Sequence, residues 1–103
     1  MRVYHLTSPR NVKSILKNGL LLKSPHREGP FGRIAYTPDS IWFFDSLTDS
    51  ILQYKREGYY VVEIDFKDES KLTPWVEDGK HMYGWYYCEC DIPVGWIVRV
   101  VRW

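Results

Sequence analysis

Residues 1–20 read MRVYHLTSPRNVKSILKNGL, and this stretch decides how the chain begins to fold. Residues 2–6 predict a short β-strand and residues 8–19 predict a helix. Pro9 suits the first helical position, where a missing N–H leaves no hydrogen bond unmade. His5 is therefore expected at the end of a strand, just before the chain turns into a helix.

The predicted helix has signals at both ends and one apolar face. Ser8 is a favourable N-cap, and Gly19 is a natural C-terminal stop. Val12, Ile15 and Leu16 are spaced to form one apolar stripe. We expect that stripe to face the core.

Strands dominate the rest of the chain. Residues 41–44, IWFF, are apolar, aromatic and bounded by turn residues, which favours a buried strand over the alternative of a helix running from Pro38. A second helix is predicted over residues 47–57, between a start that resembles a capping box and a stop at Gly58. Further strands are predicted over residues 33–36, 59–66, 83–91 and 97–103, and loops over residues 23–32 and 68–80. Early helices and late strands together favour a compact α+β fold.

The composition fits a single domain spanning residues 1–103. A net charge of +1 argues against nucleic-acid binding driven by phosphate contacts, which usually requires a basic excess. The first residues lack the apolar region of a signal peptide, and no apolar run is long enough to cross a bilayer. We therefore expect a cytoplasmic protein without a membrane partner.

Metal and dinucleotide motifs of the common kinds are missing from the sequence. Cys88 and Cys90 lie two residues apart in a strand-like run, poorly placed to bond each other, which favours free thiols. With His26 and His81 they lack the paired spacing of a zinc site, so no metal is predicted. No G-x-G-x-x-G motif or P-loop is present, which excludes a Rossmann route to NAD at the level of motifs.

The order of several short motifs resembles the ADP-ribosyltransferase fold. YHLTSP at residues 4–9 leads into ILKNGL at residues 15–20, as Y-H-x-T-S-P precedes a helix ending in I-L-x-x-G-L in that family. IWFFDS at residues 41–46 resembles the second motif, residues 59–66 the next strand, and IPVGWI at residues 92–97 the closing I-P-x-x-x-I element. The resemblance implies a split antiparallel β-sheet with two helices, and a cleft for NAD between the two halves of the sheet.

The same resemblance implies roles for individual residues. His5 would hydrogen-bond the nicotinamide ribose, the backbone of Leu6 would hold the carboxamide, and Thr7 would support the adenosine side. An aromatic side chain would stack on nicotinamide, and Trp42 has the family's position whereas Tyr36 has its usual residue type. The alternative for Trp42 is a core aromatic.

Two charged residues complete the predicted site. The guanidinium of Arg33 suits the pyrophosphate, with a surface arginine as the alternative. Glu89 is the candidate carboxylate that stabilises positive charge on the ribose as nicotinamide leaves. On the predicted strand it shares a face with Trp85 and Tyr87, although relatives carry this glutamate nearer Gly84. The alternative for Glu89 is a strand glutamate paired with an arginine.

The resemblance thus implies a small NAD-dependent ADP-ribosyltransferase. It would transfer ADP-ribose from NAD to an unknown acceptor (protein, nucleic acid or small molecule) and release nicotinamide. One alternative is a domain of the same fold that has lost catalysis and acts as a binding or inhibitor module. Another is an enzyme like the RNA 2′-phosphotransferases, which would use arginines around His5.

Overall fold

The computed structural model of the protein describes residues 1–22, 40–46 and 58–102. Several predictions lie outside these residues: the strand over 33–36, the second helix over 47–57, the loop over 23–32, and the site residues Arg33 and Tyr36. The radius of gyration is 12.6 Å. A single compact domain of about 100 residues has that size.

The described residues form six strands and one helix, a broadly α+β arrangement dominated by an antiparallel sheet. The elements are β1 (Arg2–Thr7), α1 (Pro9–Asn18), β2 (Ile41–Phe44), β3 (Tyr60–Asp65), β4 (Thr73–Glu77), β5 (Lys80–Cys88) and β6 (Ile97–Arg102), with 3-10 turns at Glu69–Lys71 and Val94–Trp96. This helix is not long and apolar enough to cross a membrane.

The strands form one sheet in the order β4-β5-β2-β1-β3-β6, and every pair is antiparallel. β1 pairs with β3 along its whole length, from Arg2 opposite Asp65 to Thr7 opposite Tyr60. Its other neighbour, β2, is joined to it at a single register position, Tyr4 opposite Phe44. We call this short β1–β2 junction the seam.

Each face of the sheet carries its own apolar cluster, because successive side chains of a strand point to opposite faces. The larger cluster packs under α1 and includes Ile15, Phe43 and Ile64. The smaller one, on the opposite face, centres on Phe44 and Trp85. The core therefore lies mainly between the sheet and α1.

α1 forms where the sequence predicts it, but its inner face is different from the predicted one. Gly19 ends the helix with φ 79°, a value that favours glycine. Ser8 occupies the N-cap position without a side-chain capping bond. Ile15 is buried as expected, whereas Leu16 is 53% exposed. The prediction that Leu16 faces the core is therefore wrong, because packing on the sheet rotates the helix toward Asn11 and Ile15.

The prediction of a loop over residues 68–80 is wrong from Thr73 onward, since β4 lies there, whereas the 3-10 turn at Glu69–Lys71 precedes it. β4 pairs with β5 through a tight turn at Asp78 and Gly79, whose φ values are 51° and 75°. Two consecutive positive φ values are the signature of the two-residue hairpin turn that Asp-Gly favours.

The other strands follow the sequence closely, with one consequential shift. The strand over residues 41–44 is confirmed, and the alternative of a helix there is wrong. β3 and β6 fall within the predicted ranges of 59–66 and 97–103. β5, however, runs from Lys80 to Cys88 and not over 83–91. Glu89 therefore follows the strand and is not part of it.

Candidate functional site

A cleft opens between the carboxyl end of β1, α1 and the segment that follows the helix. It contains about 360 Å³ of empty space, including its open mouth. Its lining residues come from these three elements: His5, Thr7, Asn11, Ser14, Ile15, Gly19, Leu20 and Leu21.

His5 forms the wall of the cleft next to the seam. The side chain is only 3% exposed, and Nδ1 lies 2.8 Å from the backbone oxygen of Trp42 on β2. A carbonyl oxygen only accepts hydrogen bonds, so Nδ1 carries a proton. The imidazole thus links β1 to β2 just beyond their single backbone register position.

Thr7 lies next to His5 on the same face of β1, as strand alternation predicts. It is 1% exposed, and its hydroxyl donates to the Ser8 carbonyl oxygen at 3.4 Å. Leu6 points to the opposite face, where it packs against the cluster of Phe44 and Trp85. Leu6 is not among the described residues that line the cleft, and the predicted role of its backbone stays a prediction.

The helical wall contributes two polar side chains that the sequence reasoning missed. Asn11 and Ser14 lie one turn apart and line the cleft beside Ile15. The Asn11 amide donates to the Ser8 hydroxyl at 3.3 Å, which orients it at the start of the helix. Asn11, Ser14 and Ile15 have the spacing i, i+3 and i+4, and residues with this spacing share a helix face. This spacing is the signal in the sequence that places the two polar side chains beside Ile15.

The third wall is fixed to a distant part of the chain. Leu20 and Ile92 exchange backbone hydrogen bonds of 3.0 and 2.8 Å. The Leu22 N–H donates to Asp91 Oδ1 at 2.7 Å. Gly19 passes so close to Ile92 that a Cβ would lie 2.0 Å from the Ile92 oxygen. These contacts hold the segment that closes the cleft.

Glu89 lies at the same end of the molecule as the cleft but does not line it. Cys88, the last residue of β5, pairs with Ile41, and the segment after it reaches Ile92, the partner of Leu20. Glu89 is exposed in this connection, and the ion pairs of the described residues do not include it. Its predicted place on a strand face beside Trp85 and Tyr87 is wrong, because β5 ends first.

Trp42 is on the opposite face of the sheet from the His5 side chain. Its ring contacts Tyr87 with a centroid distance of 5.0 Å and Trp75 with one of 5.7 Å. The Trp75 contact is edge-on, at 84°, a favourable geometry for an aromatic pair. The structure thus brings the backbone of Trp42 to His5 but not its ring.

The lining of the cleft combines polar and apolar side chains. Within the described part of the chain it includes no Lys, Arg, Asp or Glu side chain. The described residues also contain no group of three His, Cys, Asp or Glu that could hold a metal ion. The cleft is therefore suited to an uncharged ligand group with hydroxyls or amides.

Comparison of the chain with protein-family models and with curated proteins finds no match. Its function is therefore inferred from the residues and the geometry of the cleft.

Proposed function

We propose that the protein is a small NAD⁺-dependent ADP-ribosyltransferase with its site in the cleft at His5. The main support for this proposal is the buried histidine on β1, which lines a cleft immediately before α1. The sequence resemblance assigns the nicotinamide ribose to this residue. A histidine at bulk solvent would have removed the basis of the proposal.

The architecture of the sheet supports the same proposal. The seam divides the strands into β4-β5-β2 on one side and β1-β3-β6 on the other, with one register position between them. The expected split sheet would have such a division. In the proposed fold the ligand enters where β1 and β2 diverge, next to the His5 imidazole.

The side chains of the cleft suit this ligand. In a neutral His5 ring, Nε2 can accept a hydrogen bond from a ribose hydroxyl, and the Leu6 backbone can pair with a carboxamide. Thr7 adds a hydroxyl on the adenosine side. The proposed pyrophosphate and stacking roles of Arg33 and Tyr36 lie outside the described residues, and Trp42 would require its ring to leave Trp75 and Tyr87.

The reaction replaces one bond to the ribose by another. The bond between nicotinamide and ribose breaks with its electron pair going to nicotinamide, the acceptor atom bonds to the same ribose carbon, and the acceptor loses a proton. A carboxylate beside that carbon would stabilise the positive charge that develops. Glu89 is the proposed carboxylate, at the end of β5 nearest to the cleft.

The test measures NAD⁺ binding and nicotinamide release for the wild type, Glu89→Gln and Glu77→Gln. We expect Glu89→Gln to bind NAD⁺ normally and to release nicotinamide about 10²–10³-fold more slowly, because the carboxylate acts only as charge develops. Glu77, an exposed glutamate next to the hairpin turn of β4 and β5, is the weaker candidate for this carboxylate, and Glu77→Gln should leave the rate unchanged if Glu89 acts. A wild type that fails to bind NAD⁺ at millimolar concentration would refute the proposal.

Two observations favour a second candidate, a binding or inhibitor module without catalysis. Glu89 is exposed outside the cleft, and the Trp42 ring is committed to the opposite face. In that case the wild type binds NAD⁺ and releases no nicotinamide. The alternative of RNA 2′-phosphate transfer has no support from the cleft, whose described lining contains no arginine.

A further inference from the structure

We propose that α1 recognises the pentose of the ligand directly, through Asn11 and Ser14. The cleft would then bind the uncharged nucleoside part of a dinucleotide, and its pyrophosphate would lie outside. This inference rests on the proposed function, because it concerns the same cleft.

The first support is the polarity of the helix. α1 lines the cleft with half-buried Asn11 and exposed Ser14 beside the buried Ile15, while Leu16 is 53% exposed. A helix that packs only for stability places its apolar residues inward. In α1, Leu16 points to solvent while the Asn11 amide and the Ser14 hydroxyl line the cleft. Such departures from the usual placement of apolar residues are expected at functional sites.

The second support is the arrangement of hydrogen-bonding groups on facing walls. β1 contributes the His5 imidazole and the Thr7 hydroxyl, and α1 contributes the Asn11 amide and the Ser14 hydroxyl. These groups both donate and accept, so they suit vicinal hydroxyls, which also do both. A phosphate only accepts and carries charge, and it would find no cation among the described lining residues.

The third support is the apolar part of the lining. Ile15 and Leu20 are buried and line the same cleft. Pockets with apolar walls and a few placed polar groups orient a small ring. The carbon face of a pentose fits these side chains, while its hydroxyls reach His5 and Asn11.

The experiment is a double-mutant cycle between the protein and the ligand hydroxyls. Binding of adenosine and of 2′,3′-dideoxyadenosine is measured for the wild type, Asn11→Ala and Ser14→Ala, with nicotinamide riboside and inorganic pyrophosphate as further probes. Lys13→Ala, an exposed change on the same helix, is the control. Thermal unfolding of each variant verifies that it is folded.

In the wild type, we expect loss of the two hydroxyls to weaken binding about 2- to 13-fold, the effect of one hydrogen bond. In Asn11→Ala or Ser14→Ala that difference should shrink, because the hydroxyl has lost its partner. A residue that only supports the fold would weaken both ligands equally and leave the ratio unchanged. An unchanged ratio in both variants overturns the inference, as does tighter binding of pyrophosphate than of both nucleosides.

The nicotinamide-release assay separates this inference from the proposed function. Wild-type protein that binds both nucleosides through Asn11 but never releases nicotinamide supports the pentose site and refutes the transferase. Active protein whose binding ratio is unchanged in both variants supports the transferase and refutes the pentose site.

Discussion

The His5 side chain belongs to the sheet and to the cleft at the same time. Its Nδ1 donates to the Trp42 carbonyl oxygen, and its ring lies 6.0 Å from that of Phe43. A substitution here removes a buried hydrogen bond as well as a group of the ligand site. Asn11 and Ser14, which are less buried, therefore report on binding more cleanly than His5 does.

Tyr86 gives a prediction about alkaline pH. Burial raises the pKa of the Tyr86 phenol above its usual value of 10, and the nearby carboxylates of Asp45 and Glu69 raise it further. The unfolded chain then ionises first as the pH rises. The contribution of the neutral Tyr86 phenol to the free energy of unfolding is complete below pH 10. It is lost as the pH rises through the higher pKa of the folded state.

Tyr86→Phe should therefore show a shallower loss of stability between about pH 9 and pH 11 than the wild type. Urea unfolding midpoints at a series of pH values measure this slope. Other groups titrate in the same range, so the quantity of interest is the difference between the two proteins. Parallel curves would contradict the assignment of the shift to Tyr86.

The predictability of the site differs from residue to residue. His5 and Thr7 were expected to share a face, because the period of two in a strand fixes their direction. The rotation of a helix about its axis on a sheet is set by tertiary packing. The sequence pattern of α1 therefore does not decide whether Leu16 or Asn11 faces the sheet. Glu89 was misplaced because the end of β5 depends on pairing with β2, which no local pattern reveals.

Among the elements, the β4–β5 hairpin has a turn signal that conflicts with the sequence around it. Asp78-Gly79 is a strong hairpin signal, but Pro74 and the polar run around it favoured a loop. β4 is an edge strand, where a proline is tolerated because one side of the strand needs no ladder bond. The hairpin was therefore readable from the sequence, unlike the register that joins β5 to β2.

The turn from α1 into the cleft wall predicts the effect of a small substitution. Gly19→Ala should destabilise the protein by more than about 1–3 kcal/mol, the cost of its backbone conformation alone. The added Cβ would also meet the Ile92 oxygen at 2.0 Å and the Val94 nitrogen at 2.9 Å. Chemical denaturation measures the loss in free energy of unfolding.

Two other glycines separate the cost of the backbone conformation from the cost of the steric contact. Gly79 has a φ of 75° and nothing within 4 Å of an added Cβ, so Gly79→Ala should cost only the conformational part. Gly95 has open space and no positive φ, so Gly95→Ala should be nearly neutral. If Gly19→Ala lowers the free energy of unfolding no more than Gly79→Ala does, then the segment after α1 can move away from Ile92 without a loss of stability.

At the scale of the whole molecule, the seam is the weakest line of the sheet. β1 and β3 pair over their full length, whereas β1 and β2 share one register position and the imidazole of His5. The two groups of three strands are therefore held together largely by side chains. A ligand bound at His5 would lie against this line.

His5→Ala should loosen the seam without loosening β1 from β3. We expect amide hydrogen exchange in β2 to rise roughly 5-fold, since a net hydrogen bond contributes about 1 kcal/mol. Exchange at the β1–β3 pairs should change less. The matched control is His81→Ala, because Nε2 of His81 lies 3.0 Å from the Trp85 oxygen within the same strand. Equal changes across all strands would show that His5 has no special role at the seam.

The hydrogen bond from Leu22 to Asp91 spans 69 positions of the sequence. During synthesis the first 22 residues are made well before Asp91 and Ile92, so the segment after α1 lacks these partners until late in translation. Contacts so distant along a chain slow folding, because a large loop must close before they form. The ligand cleft is therefore assembled last, and a nascent chain that has reached only β5 contains His5, Thr7 and Asn11 but no completed site.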